Sequence, residues 1–356
     1  MEPDRELVIL IPGLARKSQQ AYGDRLSDGI EDYLDAHREL IESYRRVASQ
    51  ESGRARFEIK LKNGQQKVVD AIEVTWNDLR PQIRPSSTPL VGLVLIFYWF
   101  SARMWRSIPA TSKPMRRAYV AWILFLLSWY VLTILAFAQF SEFIPDLVSK
   151  NFDGLIKVIW LFATMVLASR YVTDGIDGSY TLYCYFKNRD GLYDRVRRRI
   201  ISFFWQIRDE IEPFKRVTLL AHSFGSAVAV DAIAGIATRA LEEQPLQRVE
   251  LITIGSPLEY LSFREPSIRK RIEQCVSCPI LTRWVDLYAS TDALCSKAPF
   301  GSNRKCTAEA IELGYSELEA QLGLSHDAYF EHPRVLGEVL GFRNPSTVQT
   351  SVLVAE

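Results

Sequence analysis

The residues best suited to chemistry lie in Val217-Thr218-Leu219-Leu220-Ala221-His222-Ser223-Phe224-Gly225-Ser226-Ala227. The apolar start reads as a strand, the middle as a turn, and the small residues running on to Ala237 as a helix. Ser223 stands in the turn. A serine hydroxyl becomes a useful nucleophile beside a base, and an imidazole titrating near neutrality is the usual one. The chain has four histidines. His37 lies in a polar helical stretch, and His222 is adjacent to Ser223, where the turn aims its side chain elsewhere. The remaining partners are His326, in the polar turn Leu324-Ser325-His326-Asp327, and His332, which precedes Pro333 and a terminal helix. A carboxylate must then fix the imidazole tautomer and stabilise the imidazolium. Arg283 to Asp292 offers two: Asp286 inside a strand and Asp292 in the turn after it.

Other chemistries fit less well. Cys275-x-x-Cys278 together with Cys295 and Cys306 could in principle complete a zinc tetrahedron, but the ten residues between the second pair do not match the usual ligand spacing. Reduced structural thiols are the better expectation for five cysteines, an odd count. The opening Met1-Glu2-Pro3-Asp4-Arg5-Glu6 is too charged for a secretory signal, which with those thiols points to a hydrolase domain facing the cytosol. A formal net charge of +1 supplies no global field for a nucleic acid, so none is expected as a partner.

The elements that must position these side chains follow from patterning. Leu7 to Ile11 is a short apolar run ended by Pro12-Gly13, a buried strand feeding a tight loop. Asp24 to Val47 has apolar residues near helical spacing, and Val68 to Trp76 reads as a strand. Arg195 to Ile211 sets Val196, Ile200, Phe203, Phe204 and Ile207 on one helical face, behind the basic cluster Arg195, Arg197, Arg198 and Arg199. Strand-like runs at Val217 to Leu220, Val249 to Ile254 and Trp284 to Ala289 are spaced for intervening helices, the alternation of a parallel α/β sheet.

Between the two polar halves the composition changes. No charged residue occurs from Pro85 to Ala102, and Ala118 to Ser141 holds twenty-four uncharged positions in a row. The spacing predicts membrane spans at Pro89 to Trp105 and Ala118 to Phe140, with a third apolar helix at about 155–170. The chain thus divides into a first hydrolase segment, 1–84, a hydrophobic insertion, 85–170, a second hydrolase segment, 171–345, and a tail, 346–356.

The serine segment resembles the nucleophile elbow of the α/β-hydrolases, in which a strained serine requires small residues two before and two after it. Here those are Ala221, where glycine is usual, and Gly225. With Leu251-Ile252-Thr253-Ile254-Gly255-Ser256-Pro257, a strand ending in a Gly-Ser-Pro turn, the chain looks like the lipase and serine-esterase branch of that superfamily. The resemblance covers Leu7 to Trp76 and Tyr171 to Arg334. It implies a mostly parallel sheet with helices on both faces, here carrying an inserted hydrophobic hairpin. It also implies the order serine, acid, histidine, which both His326 and His332 satisfy; the polar turn favours His326, the family's acid in the turn after a strand favours Asp292, and Asp286 and His332 stand in reserve behind Ser223, Asp292 and His326. By the same analogy the Phe224 and Leu14 amides would hold the oxyanion, Ile11-Pro12-Gly13-Leu14 taking the place of the early lipase loop.

The expected activity is hydrolysis of a carboxylic ester, a lipid or acyl ester reached from the bilayer, without metal or organic cofactor. Thioester or amide cleavage would use the same machinery, and a catalytically silent membrane scaffold is the reading from another class. Because the strands on either side of the insertion share one sheet, the crossings must be even in number. The basic connection through Arg103, Arg106, Lys113, Arg116 and Arg117 would place itself in the cytosol, against the cytosolic hydrolase that the thiols favour.

Overall fold

The computed structural model describes residues 3–14, 21–48, 54–83, 170–208, 214–237, 248–316 and 324–342, residue 319, and scattered positions between 91 and 131. Eight strands form one sheet: β1 (Asp4–Ile11), β2 (Ile41–Ala48), β3 (Arg54–Leu61), β4 (Gln66–Glu73), β5 (Arg216–His222), β6 (Val249–Ile254), β7 (Leu281–Ala289) and β8 (Cys306–Ile311). Their spatial order is β2-β3-β4-β1-β5-β6-β7-β8. Only β3 runs against the others, pairing antiparallel with β2 and β4. From β4 to β8 every neighbouring pair is parallel. The central strands β1 and β5 are therefore covered on both faces, which is why they read as continuous apolar runs and not as alternating ones.

Helices cover both faces. Helix α1 (Ala21–Ala36) packs on one side with a late 3₁₀ helix, Leu324–Glu331, and with a short terminal helix, Pro333–Val339. The other side carries α2 (Arg170–Phe186), α3 (Leu192–Gln206), α4 (Gly225–Ala237), the short α5 (Leu258–Arg264) and α6 (Ser267–Ser277). The terminal Pro333–Val339 helix is α7. Helix α3 buries Leu192, Val196, Ile200, Ile201 and Phe204 and leaves Arg195, Arg198 and Arg199 exposed, so its periodicity sets its orientation. Every residue of α4 from Gly225 to Ile236 is buried, as a helix apolar all round must be. Each fully buried Ile or Leu of these layers contributes about 2 kcal/mol, the transfer free energy of its side chain.

Some expectations require correction. The helix foreseen from Asp24 to Val47 ends at Ala36, and Ile41, Tyr44 and Val47 belong to β2. The strand expected from Val68 to Trp76 spans Gln66–Glu73, with Trp76 in the segment that follows. Strands β3 and β8 were not foreseen. The expected hydrophobic spans at 89–105 and 118–140, the third helix at 155–170 and the 346–356 tail lie largely outside the described residues. No helix among the described residues is long and apolar enough to cross a membrane. The described positions of the insertion do reach the α5 face of the sheet. The Trp99 ring stacks on Tyr260 at 5.9 Å, and the Tyr98 hydroxyl donates to Glu265 at 2.9 Å.

Candidate active site

Strand β5 carries the chain straight into the turn that presents Ser223. Its φ of +54° lies in the left-handed region, which a residue with a Cβ occupies only when its surroundings force it there. Two contacts do so. The Ser223 N–H donates to the Ile254 carbonyl at the end of β6, at 2.9 Å, and α4 begins two residues later. A Cβ on Gly225 would stand 2.2 Å from the Ile11 carbonyl oxygen, so only glycine lets the start of α4 close against the end of β1. Ala221, two before the serine, is fully buried and tolerated.

The other two members come from beyond β7 and β8. Asp292 follows β7 and is fully buried; its Oδ1 accepts the Leu294 N–H at 2.8 Å. His326 lies in the 3₁₀ helix Leu324–Glu331. Its Nδ1–H donates to Asp292 Oδ2 at 2.8 Å, which leaves Nε2 as the acceptor for the Ser223 hydroxyl at 2.7 Å. Serine, imidazole and carboxylate thus form one continuous chain, gathered from three points far apart in sequence. Burial pushes the Asp292 carboxyl up, but the His326 charge and hydrogen bond outweigh it and hold Asp292 below the usual carboxylate range. Burial pushes His326 down, while the Asp292 charge and hydrogen bond push it further up, so the imidazole is more basic than ordinary. A hydroxyl bonded to such an imidazole can lose its proton to Nε2 as it attacks an electrophile.

The alternatives lie elsewhere. Asp286 is buried within β7, and its two oxygens accept from the Thr253 hydroxyl at 2.6 Å and the Ala298 N–H at 2.7 Å. Burial pushes its carboxyl up to about 7, against those two hydrogen bonds. His332 caps α7, its Nδ1 accepting the Arg334 N–H at 3.1 Å. His37 stacks on Tyr33 and donates to its carbonyl.

Of the expected oxyanion donors, Phe224 directly follows Ser223 in the turn into α4, and Leu14 follows Gly13 after β1. The loop after β1 comes very close to Ser223: a Cβ on Gly13 would stand 2.6 Å from Ser223 Cβ. Its carbonyls are turned away and held, Pro12 by the Trp76 indole N–H at 2.9 Å and Gly13 by the Asn77 amide at 3.0 Å. The anchoring pair Trp76-Asn77 was not read from the sequence, where Trp76 closed the expected strand. The Gly255-Ser256-Pro257 turn lies at the site, where Gly255 has a φ of +57° and a Cβ on it would press on Tyr329, His326 and Asp292.

All five cysteines are buried free thiols, and among the described residues no three histidine, cysteine, aspartate or glutamate side chains converge as metal ligands. Two cavities of about 560 Å³ each share Arg198 and Ser202 on α3; neither is lined by a member of the serine, histidine and aspartate chain. No family model, curated protein or solved structure matches this chain.

Proposed function

We propose that this chain is a serine hydrolase of the α/β-hydrolase type that cleaves a carboxylic ester, a lipid or other acyl ester met at a membrane surface. The observation that carries the reading is the Ser223, His326 and Asp292 chain, with contacts of 2.7 and 2.8 Å and the serine held at positive φ. The positions of these residues after the fifth, seventh and eighth strands also match the order that the α/β-hydrolase resemblance implies.

In the acylation step Ser223 Oγ attacks the ester carbon while its proton passes to His326 Nε2, and Asp292 stabilises the resulting imidazolium. The developing oxyanion meets the Phe224 and Leu14 amides. Collapse breaks the ester C–O bond, His326 returns its proton to the leaving alcohol, and a water repeats the sequence to release the acid. Every proton and electron pair in this scheme is handled by side chains and water.

The membrane part of the reading rests on the uncharged run from Ala118 to Ser141. Exposed Val94, Leu124, Leu127 and Val131 within the insertion support it. The hydrogen-bonded pairing of β1 with β5 puts the two flanks of the insertion on one side of any bilayer, and the buried free thiols favour the cytosolic side. The test is turnover by detergent-solubilised protein of a p-nitrophenyl ester series, with matched thioesters and anilides. Ester cleavage that disappears in Ser223→Ala supports the proposal, whereas a folded protein inert to all three classes would favour the scaffold reading.

A further inference from the structure

The end of the hydrogen-bond chain does not stop at the carboxylate. Asp292 Oδ2 accepts from His326 Nδ1 and also from the hydroxyl of Tyr329, at 3.1 Å. The two donors arrive together because of the local backbone. In a 3₁₀ helix residues three apart eclipse one another, so within Leu324–Glu331 the side chains of His326 and Tyr329 stand on the same side and aim at one oxygen. Tyr329 is itself fully buried and held at a second point, since its oxygen accepts the Ala289 N–H at 3.1 Å at the end of β7. Cys295 Sγ touches the same oxygen at 3.1 Å. The phenol thus joins the last residue of β7 to the carboxylate three positions later. Gly255 makes room for this: a Cβ there would stand 3.0 Å from the Tyr329 ring, 3.2 Å from the His326 ring and 3.4 Å from Asp292 Oδ2.

We infer that Tyr329 is a positioning residue for the reaction, fixing the Asp292 carboxylate and sharing its charge through a hydrogen bond to the oxygen that His326 also uses. The inference rests on the serine hydrolase reading and deepens it. A buried carboxylate with one fewer donor is more basic, so it pulls harder on the imidazolium proton. Burial, then the neighbouring Cys295 and Asp292, hold the phenol pKa well above its ordinary value, so Tyr329 stays a donor across the working pH range.

The experiment is the pH profile of kcat/KM for Tyr329→Phe beside the intact protein, Ser223→Ala and Cys295→Ala. Loss of one hydrogen bond to a charged group predicts a fall of about 10- to 100-fold in Tyr329→Phe. The acidic limb, which reports neutral His326, should move to higher pH. A fluorinated tyrosine at position 329, a stronger donor of the same shape, should move it the other way. Cys295→Ala keeps the phenol donor, so the limb should move less there than in Tyr329→Phe. An unmoved limb in Tyr329→Phe, or an equal shift in Cys295→Ala, would overturn the inference. The downfield proton resonance of His326 Nδ1–H reads the same bond without turnover. A change in Tyr329→Phe supports the inference, and an unchanged resonance overturns it even in a protein that hydrolyses nothing. Absence of any Ser223-dependent turnover would instead count against the hydrolase reading.

Discussion

His222, the residue just before Ser223, donates through Nε2 to the main-chain carbonyl of His326 at 2.9 Å. Its ring is fully buried and packs 4.9 Å from the His326 ring. Burial, and after it the His326 charge, holds His222 down at about 4, so it is a neutral donor at physiological pH. Because the carbonyl can only accept, Nε2 carries the proton and Nδ1 is bare; that buried atom has no partner among the described residues. The side chain expected to be aimed away from Ser223 is so aimed, and it holds the backbone of His326.

His222→Phe should therefore keep the fold and lower kcat/KM by roughly tenfold, the value of one buried hydrogen bond. Far-ultraviolet circular dichroism and ester hydrolysis measured on the same sample check this. Wild-type rates in His222→Phe would show that the 3₁₀ helix holds His326 unaided.

Gly13→Ala tests the close approach of the early loop. The added methyl would stand 2.6 Å from Ser223 Cβ, so either the loop or the serine must move. A displacement of about 1 Å at a reacting atom costs on the order of 100-fold. The expectation is a loss of at least that size in kcat together with a fall of a few degrees in the thermal midpoint, the mark of about 1–3 kcal/mol of overpacking, read by calorimetry and initial rates.

The two aspartates separate cleanly. Asp292→Asn removes the carboxylate that fixes the His326 tautomer and should lower kcat by about 10⁴-fold. Asp286→Asn replaces a carboxyl already pushed up to about 7, bonded to Thr253 and Ala298, and should stay within about tenfold of the intact protein. Parallel kcat measurements decide between them, and a larger loss in Asp286→Asn would reverse the assignment.

Away from the site, Glu338 is paired with Arg283 at 2.6 Å and Arg334 at 2.7 Å, with its side chain 2% exposed. Burial raises its carboxyl, but the bonds and charges of the two arginines prevail and hold it down at about 2, from an ordinary 4.5. Its folded pKa is below its unfolded one, so the stabilisation is fully present above 4.5 and is lost as pH falls towards 2. The full effect is about 3 kcal/mol. Glu338→Gln should be less stable than the parent at neutral pH, and the gap should close towards pH 2; urea titrations at several pH values measure it.

How much was legible beforehand follows the physics of each element. The β5 turn could be read because a buried central strand is continuously apolar and the turn needs small residues at 221 and 225. Asp292 and His326 were favoured by their turns taken with the resemblance, since the order serine, acid, histidine is met by Asp286 and His332 as well. Strand β2 was taken for helix because Ile41, Tyr44 and Val47 recur every three residues, while Arg45 and Arg46 mask any alternation. Its partner β3, paired on both sides by β2 and β4, sets buried Phe57 and Ile59 among charged residues, and β8 at the opposite edge buries only Cys306 and Ile311, so neither shows a continuous apolar run. The roles of His222, Tyr329 and Trp76 depend on contacts across 104, 37 and 64 positions, which no local pattern encodes.

The central claim, an activated serine at position 223, is tested most directly by covalent labelling with a fluorophosphonate probe. The intact protein in detergent-solubilised membranes would be compared with Ser223→Ala and His326→Ala, and the adduct located by peptide mass spectrometry. The account predicts one adduct, on Ser223, absent from Ser223→Ala and nearly so from His326→Ala. A folded intact protein that takes up no probe, or takes it up elsewhere than Ser223, would contradict it.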